Sequence, residues 1–99
     1  MNLEAKINVL KQIGVEALVE QTLTKIIQSE LYQLMQTQEN LRLELAQFEQ
    51  RYRMSSEECW NRFEAGELGD DVDYFEWTGL LEIYRLNEAT LQRLKASLQ

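Results

Sequence analysis

Residues 27–52 read IQSELYQLMQTQENLRLELAQFEQRY, and the spacing of the apolar side chains in this run decides the fold. The apolar positions alternate between intervals of four and three, with Gln38 at the one polar place; they are Ile27, Leu31, Leu34, Leu41, Leu45, Phe48 and Tyr52. A heptad repeat of this kind predicts a long helix whose apolar seam faces another helix.

The chain upstream of this run extends the helical pattern towards the N-terminus. Three further apolar residues are spaced by four, so the long helix is predicted over 15–53 with a stutter in its repeat; they are Val15, Val19 and Leu23. Residues 1–14 also carry apolar side chains at helical spacing and end at Gly14. They are predicted to form a short N-terminal helix, or an extension that becomes ordered only in an oligomer or a complex.

A short helix is predicted over 55–66. Ser55 followed three residues later by Glu58 is a capping box, in which each side chain satisfies a free backbone N–H of the other residue. Gly66 is placed to end this helix in a left-handed conformation.

The last helix is predicted over 71–98, with Asp70 as its N-cap and further carboxylates in its first turn. It carries a second heptad run with Asn87 at the polar place; the apolar members are Trp77, Leu80, Tyr84, Leu91, Leu94 and Leu98. Gly79 lies in the interior of this helix, where glycine costs about 1 kcal/mol relative to alanine. We interpret it as the site of a close backbone crossing in preference to a bend.

The predicted fold is therefore all-α and forms a single domain over 1–99. Two long antiparallel, coiled-coil-like helices are joined by a short helical elbow, with the short N-terminal helix ahead of them. The apolar seam between only two helices stays partly exposed to solvent. Two chains are therefore expected to associate as a homodimer, in a four-helix bundle. Gln38 and Asn87 would act as polar register markers in the seams.

The composition excludes most catalytic designs. The chain has no histidine and one cysteine, which removes Ser-His-Asp relays, Cys-His pairs and imidazole metal ligands. Cys59 has no basic partner and is interpreted as a buried core residue. The run 69–73 lacks the ligand spacing of an EF-hand loop, so it is interpreted as a helix cap. We expect no enzyme activity, no cofactor and no metal.

The negative charge is confined to one stretch. The chain carries −7 in total, and residues 57–82 hold nine acids against Arg62 alone, a net of −8. Residues 1–56 carry −1 and residues 83–99 carry +2. Free nucleic acid and anionic membrane surfaces would repel such a chain. With no signal peptide and no apolar run near 18 residues, the chain is expected to be soluble and cytoplasmic.

Aromatic residues are interleaved with these acids, and two interpretations are open. The aromatics could fill a local core while the acids cap helices. Alternatively, the region 57–82 is a contact surface for a basic partner protein, with charge steering the encounter and aromatics anchoring it. The candidate partner-binding residues are Trp60, Phe63, Glu64, Glu67, Asp70, Asp71, Asp73, Tyr74, Glu76 and Trp77.

Residues 48–77, FEQRYRMSSEECWNRFEAGELGDDVDYFEW, resemble a family of small helical proteins on the antitoxin side of prokaryotic toxin-antitoxin modules. The match is carried by Phe48, Tyr52, Met54–Glu58, Phe63, Gly66–Asp71, Asp73, Phe75, Glu76 and Trp77. Arg53 departs from the family pattern, which has a glycine there, and Cys59 stands at an aromatic position. The resemblance implies a cytoplasmic protein that neutralises a partner.

The leading hypothesis is a non-enzymatic antitoxin that holds a basic toxin through region 57–82. The first alternative is a structural coiled-coil or assembly adaptor whose acidic elbow only keeps the bend soluble. The second is a DNA-binding autorepressor, in which scattered lysines make weak operator contacts; these are Lys6, Lys11 and Lys25.

Overall fold

The computed structural model describes all 99 residues and contains four helices and no strand. They are α1 (Leu3–Gln12), α2 (Glu16–Tyr52), α3 (Ser56–Glu64) and α4 (Val72–Ser97). The two long helices, α2 and α4, pack against each other, and α3 joins them. The predicted all-α architecture is confirmed. The molecule is a rod of 62 × 23 × 20 Å with a radius of gyration of 20.0 Å, against about 13 Å for a compact domain of this length.

A buried glutamine fixes the register of α4 against α2. The Gln38 Nε2 donates to the backbone oxygen of Tyr84 and to Glu88 Oε1, both at 3.0 Å. Ile27 lies beside Leu94 near the C-terminal end of α4. The helices therefore run antiparallel, with the heptad run of α2 opposite the whole of α4. The first part of α2, residues 16–26, projects past the end of that pairing.

The apolar core lies at the elbow, where three helices meet. Its buried members are Leu45, Phe48, Cys59, Trp77 and Leu81. The Trp77 ring stacks on Phe48 at 5.5 Å and on Tyr52 at 5.7 Å between centroids. Its Nε1–H donates to Ser56 Oγ at 2.8 Å, and that hydroxyl donates to Glu49 Oε2 at 2.9 Å. The indole is thus fully buried, and its one polar atom has a hydrogen-bond partner.

The ends of α3 follow the sequence prediction in most respects. Ser55 Oγ accepts from the backbone N–H of Glu58 at 3.0 Å, which is one half of the capping box. The Glu58 carboxylate does not complete the other half, because it lies 3.6 Å from the Arg62 guanidinium. Gly66 has φ +71°, and the N–H of Glu67 bonds to the carbonyl of Arg62 at 2.9 Å. These bonds close α3 as a Schellman motif.

The start of α4 corrects the predicted N-cap. The cap is Asp71 and not Asp70: the Asp71 side chain accepts from the backbone N–H of Asp73 at 2.9 Å. Because α4 begins at Val72, Asp71 stands at the position from which a carboxylate reaches the second free N–H. Asp70 is left exposed in the preceding turn.

Gly79 also departs from expectation. No heavy atom lies within 4 Å of the position that a Cβ would occupy, so the predicted close backbone crossing does not occur within the chain. The helix α4 continues through this residue from Val72 to Ser97. The reason is geometric: two residues turn a helix by about 200°, so Gly79 lies on the side of α4 opposite Trp77.

The end of α2 is strained at one residue. Arg53 is the one non-glycine residue with a positive φ, at φ 53° and ψ 44°. This left-handed conformation costs a residue with a Cβ about 1–2 kcal/mol. It turns the chain from α2 into α3.

Removing the Ser56 hydroxyl at the centre of the elbow should lower the stability of the fold. Ser56→Ala leaves the buried Trp77 Nε1–H without a partner, so the free energy of unfolding should fall by about 1–3 kcal/mol in urea titrations. Ser29→Ala, on the exposed part of α2, is the control and should change it by less than about 0.5 kcal/mol. Equal stabilities for the two variants would show that the Trp77 bond contributes nothing.

Filling the open position on α4 should have the opposite effect. Gly79→Ala adds a methyl group that meets no atom of the chain, and it removes the entropic penalty of a helical glycine. Thermal and urea unfolding should show a stability gain of about 1 kcal/mol. A loss of stability would contradict the open space above Gly79.

Candidate protein-binding surface

Most of the negative charge at the elbow is free on the surface. Two of the nine acids in 57–82 pair with arginine: Glu58 with Arg62, and Asp73 with Arg51 at 3.1 Å. The other seven are exposed and lie beyond 4.0 Å from any basic side chain; they are Glu57, Glu64, Glu67, Asp70, Asp71, Glu76 and Glu82. These carboxylates repel one another, and no cation of the chain compensates them.

The outer face of α4 carries a row of exposed apolar residues on the side of the helix away from the core. Its members recur at intervals of three and four on the side opposite Trp77, and we call them the outer stripe: Val72, Phe75, Gly79, Ile83 and Leu86. The four side chains are 73%, 60%, 49% and 63% exposed. α4 therefore has two apolar faces, one in the core and one in solvent.

The outer stripe is continuous with α3 and bordered by acids. The rings of Phe63 and Phe75 meet edge to face, with centroids 5.2 Å apart. From the helical repeat, Glu76 and Glu82 lie on opposite sides of the stripe, about 60° from its centre. The surface thus combines an apolar centre with an acidic rim, which is the usual anatomy of a protein-protein interface.

Several of the predicted contact residues hold the fold instead. Trp77 is fully buried, so its assignment to a contact surface is corrected: a partner could not reach it without unfolding the elbow. Tyr74 packs on Tyr52 with centroids 5.3 Å apart. Trp60 packs against the core and under the Arg85 guanidinium, 5.2 Å from the ring centre.

The remaining predicted residues lie on the surface. Phe63 is half-buried, and the exposed acids among them are Glu64, Glu67, Asp70, Asp71 and Glu76. Sequence reasoning missed the apolar members of the outer stripe. The signal that finds them is the helical repeat itself, because Phe75 lies two residues before Trp77 and therefore on the opposite side of α4.

Asp73 is tied into the junction of α2 and α4. Its carboxylate accepts a hydrogen bond from the Tyr52 hydroxyl and a second from Arg51. The bond to Tyr52 and the charge of Arg51 lower the pKa of Asp73 below its ordinary value. The same bond raises the pKa of Tyr52 to about 12, because the phenol donates to a carboxylate.

Other chemistry at this surface is limited by the groups present. Burial in the core raises the pKa of the Cys59 thiol, which keeps it in the unreactive protonated form. No group of three or more Asp, Glu or Cys side chains converges closely enough to hold a metal ion. No helix combines the length and apolarity needed to cross a membrane.

Comparison with protein-family models, curated proteins and solved structures returned no match to this chain.

The tie between Tyr52 and Asp73 should show itself in the pH dependence of stability. Asp73 has a lowered pKa when folded, so its contribution is lost as pH falls below about 3.8. Tyr52 has a raised pKa, so its contribution is lost as pH rises from 10.0 towards about 12. The difference in unfolding free energy between the parent chain and Tyr52→Phe should be constant between these limits and shrink beyond both. A difference that does not vary with pH would contradict the assignment.

Proposed function

We propose that this chain is a non-enzymatic binding protein of the cytoplasm, an antitoxin that neutralises a basic toxin through region 57–82. The observation that carries the proposal is the exposed apolar stripe of α4 with Glu76 and Glu82 on either side, in a region whose seven unpaired carboxylates are all exposed. Acids that serve only solubility do not account for the exposed phenylalanine, isoleucine and leucine side chains that lie among them.

The two parts of the surface have different tasks in such a complex. The net charge of −8 in region 57–82 attracts a basic partner over distances of about a Debye length and selects against acidic proteins. The outer stripe then supplies the apolar area that slows dissociation, with Phe75 and Leu86 as exposed anchors. The complementary partner presents an apolar ridge flanked by lysine or arginine, as an amphipathic basic helix does.

Gly79 supports docking on this face. Its missing Cβ lowers the stability of the isolated chain, and nothing inside the chain occupies the space above it. A partner helix laid along the outer stripe approaches closest at this residue. The Gly79→Ala variant is therefore expected to bind the partner less tightly although it is more stable.

The sequence resemblance over residues 48–77 supports the antitoxin assignment in particular. The left-handed backbone at Arg53 is the conformation that the glycine of the family pattern would favour. Toxins that act on RNA or nucleotides carry basic substrate-binding surfaces. An acidic surface that occupies such a site excludes the anionic substrate by taking its place in the same electrostatic field.

The 62 Å rod also suits the adaptor hypothesis, because its two ends differ in chemistry and could hold two proteins apart. One experiment separates the hypotheses. The chain is co-expressed with the tagged product of the neighbouring gene, and both complex formation and growth are measured. An antitoxin forms a complex with a product that inhibits growth when expressed alone, and it relieves that inhibition. A neighbouring product that neither binds nor harms cells overturns the proposal.

Charge reversal on α4 should weaken the complex without unfolding the chain. The double variant Glu76→Lys/Glu82→Lys places two cations beside the outer stripe, so the dissociation constant should rise by about tenfold or more. The matched control Glu30→Lys/Glu44→Lys makes the same change of charge on exposed positions of α2 and should alter it by less than about threefold. Circular dichroism checks that both variants remain helical.

The comparison of the two double variants decides between specific and general electrostatics. Equal weakening would mean that total charge alone governs binding. No weakening in either variant would place the contact elsewhere on the rod.

A further inference from the structure

The end of the rod far from the elbow carries a second unpartnered apolar surface. We call it the N-terminal hairpin: residues 1–26, which comprise α1 and the part of α2 that projects past α4. None of these residues is buried. They nevertheless hold eight of the fifteen exposed large hydrophobic residues of the chain, namely Met1, Leu3, Val9, Leu10, Ile13, Leu18, Leu23 and Ile26.

The hairpin has no core of its own. α1 contacts α2 and no other helix, and at 10 residues it is too short to be stable alone in water. Between the two helices lies a groove of about 260 Å³ whose lining is apolar except for Thr22, with Leu3, Ile7 and Leu18 among its walls. An apolar groove between two exposed helices is covered when another pair of helices packs on it.

The surface area of the chain indicates how much has to be covered. The accessible surface is 7507 Å², whereas a folded monomer of 11.7 kDa is expected to expose about 5,900 Å². The excess of about 1,600 Å² comes from the rod shape of the whole chain, and the N-terminal hairpin accounts for part of it; one subunit of a standard-size interface loses about 800 Å². A second copy of this chain is therefore an occupant of suitable size.

The distribution of charge selects the N-terminal hairpin as the face between copies. Residues 1–26 carry three acids and three lysines, so the side-chain charge of this segment is zero; the six are Glu4, Lys6, Lys11, Glu16, Glu20 and Lys25. In a two-fold symmetric interface the same patch faces itself, and a neutral patch of mixed charge tolerates that. Region 57–82 does not, because two copies would bring net charges of −8 together.

We propose that two copies of this chain pack through their N-terminal hairpins about a two-fold axis, with the two acidic elbows at the outer ends of the dimer. This inference concerns a different surface from the proposed function and stands without it. Since α2 projects by eleven residues, or roughly 16 Å, the two 62 Å rods overlap over a short length. The dimer is then an extended particle roughly 100–110 Å long.

Oligomeric state and particle length test the proposal together. Light scattering should give twice the chain mass of 11.7 kDa, and small-angle X-ray scattering should give a maximum dimension near the expected 100–110 Å. A monomer at millimolar concentration overturns the proposal. A dimer no longer than about 70 Å does so as well, because its subunits would lie side by side along α2 and α4.

Paired variants locate the interface. Leu3→Ser/Leu18→Ser removes two exposed apolar side chains of the N-terminal hairpin, and Phe75→Ser/Leu86→Ser removes two of similar exposure from the outer stripe. The first pair should raise the dimer dissociation constant by about tenfold or more, and the second should leave it within about threefold. The reverse order overturns the proposal.

Folding of the hairpin variant is checked at the opposite end of the rod. Both tryptophans lie at the elbow, so their fluorescence should be unchanged when the hairpin alone is altered. The particle length of the unsubstituted chain depends on no variant, and it decides the question if either pair perturbs folding.

Discussion

The burial of the Trp77 indole is the interaction on which the rest of the structure depends. One face of the ring stacks on α2, its edge bonds to α3, and its backbone belongs to α4. Ser56 and Glu49 complete a chain of hydrogen bonds from the indole back to α2. Two antiparallel helices could slide along a heptad seam, but a ring held from three directions fixes where the chain turns. Gln38 sets the same register further along the rod.

The side chains of region 57–82 divide between the fold and the surface. Asp73, Tyr74 and Trp77 point towards α2 and hold the junction, while Phe75 and Glu76 point outwards between them. The helical repeat makes this separation possible, because neighbouring residues of α4 face different surroundings. The outward group places exposed apolar area beside like charges, which is the combination that the proposed function assigns to partner binding.

Local rules were enough to predict the fold. The heptad run of residues 27–52, the Ser55 cap and the Gly66 stop each act over a few residues, so each can be read without knowledge of the rest of the chain. The residues of the candidate site are harder to predict, because the site depends on which side of α4 each residue faces. An aromatic residue among acids suggests an interface anchor, but Trp77 lies on the same seam as Leu80 and Tyr84 and is buried. Asp70 and Asp71 differ by one residue, and a sequence pattern does not resolve which of two adjacent carboxylates reaches the helix N–H. For Gly79, the sequence contains no information about the space above the residue.

The central claim is that the fold and the binding surface are separate faces of the same helix, with the partner on the outer one. Hydrogen-deuterium exchange of the chain, alone and in complex with the product of the neighbouring gene, tests this claim most directly. We expect exchange to slow on complex formation across residues 63–86, where the outer stripe and its acidic rim lie, and to stay unchanged over residues 27–45 of α2. Slowing that is confined to α2, or that spreads evenly along the rod, would contradict the account.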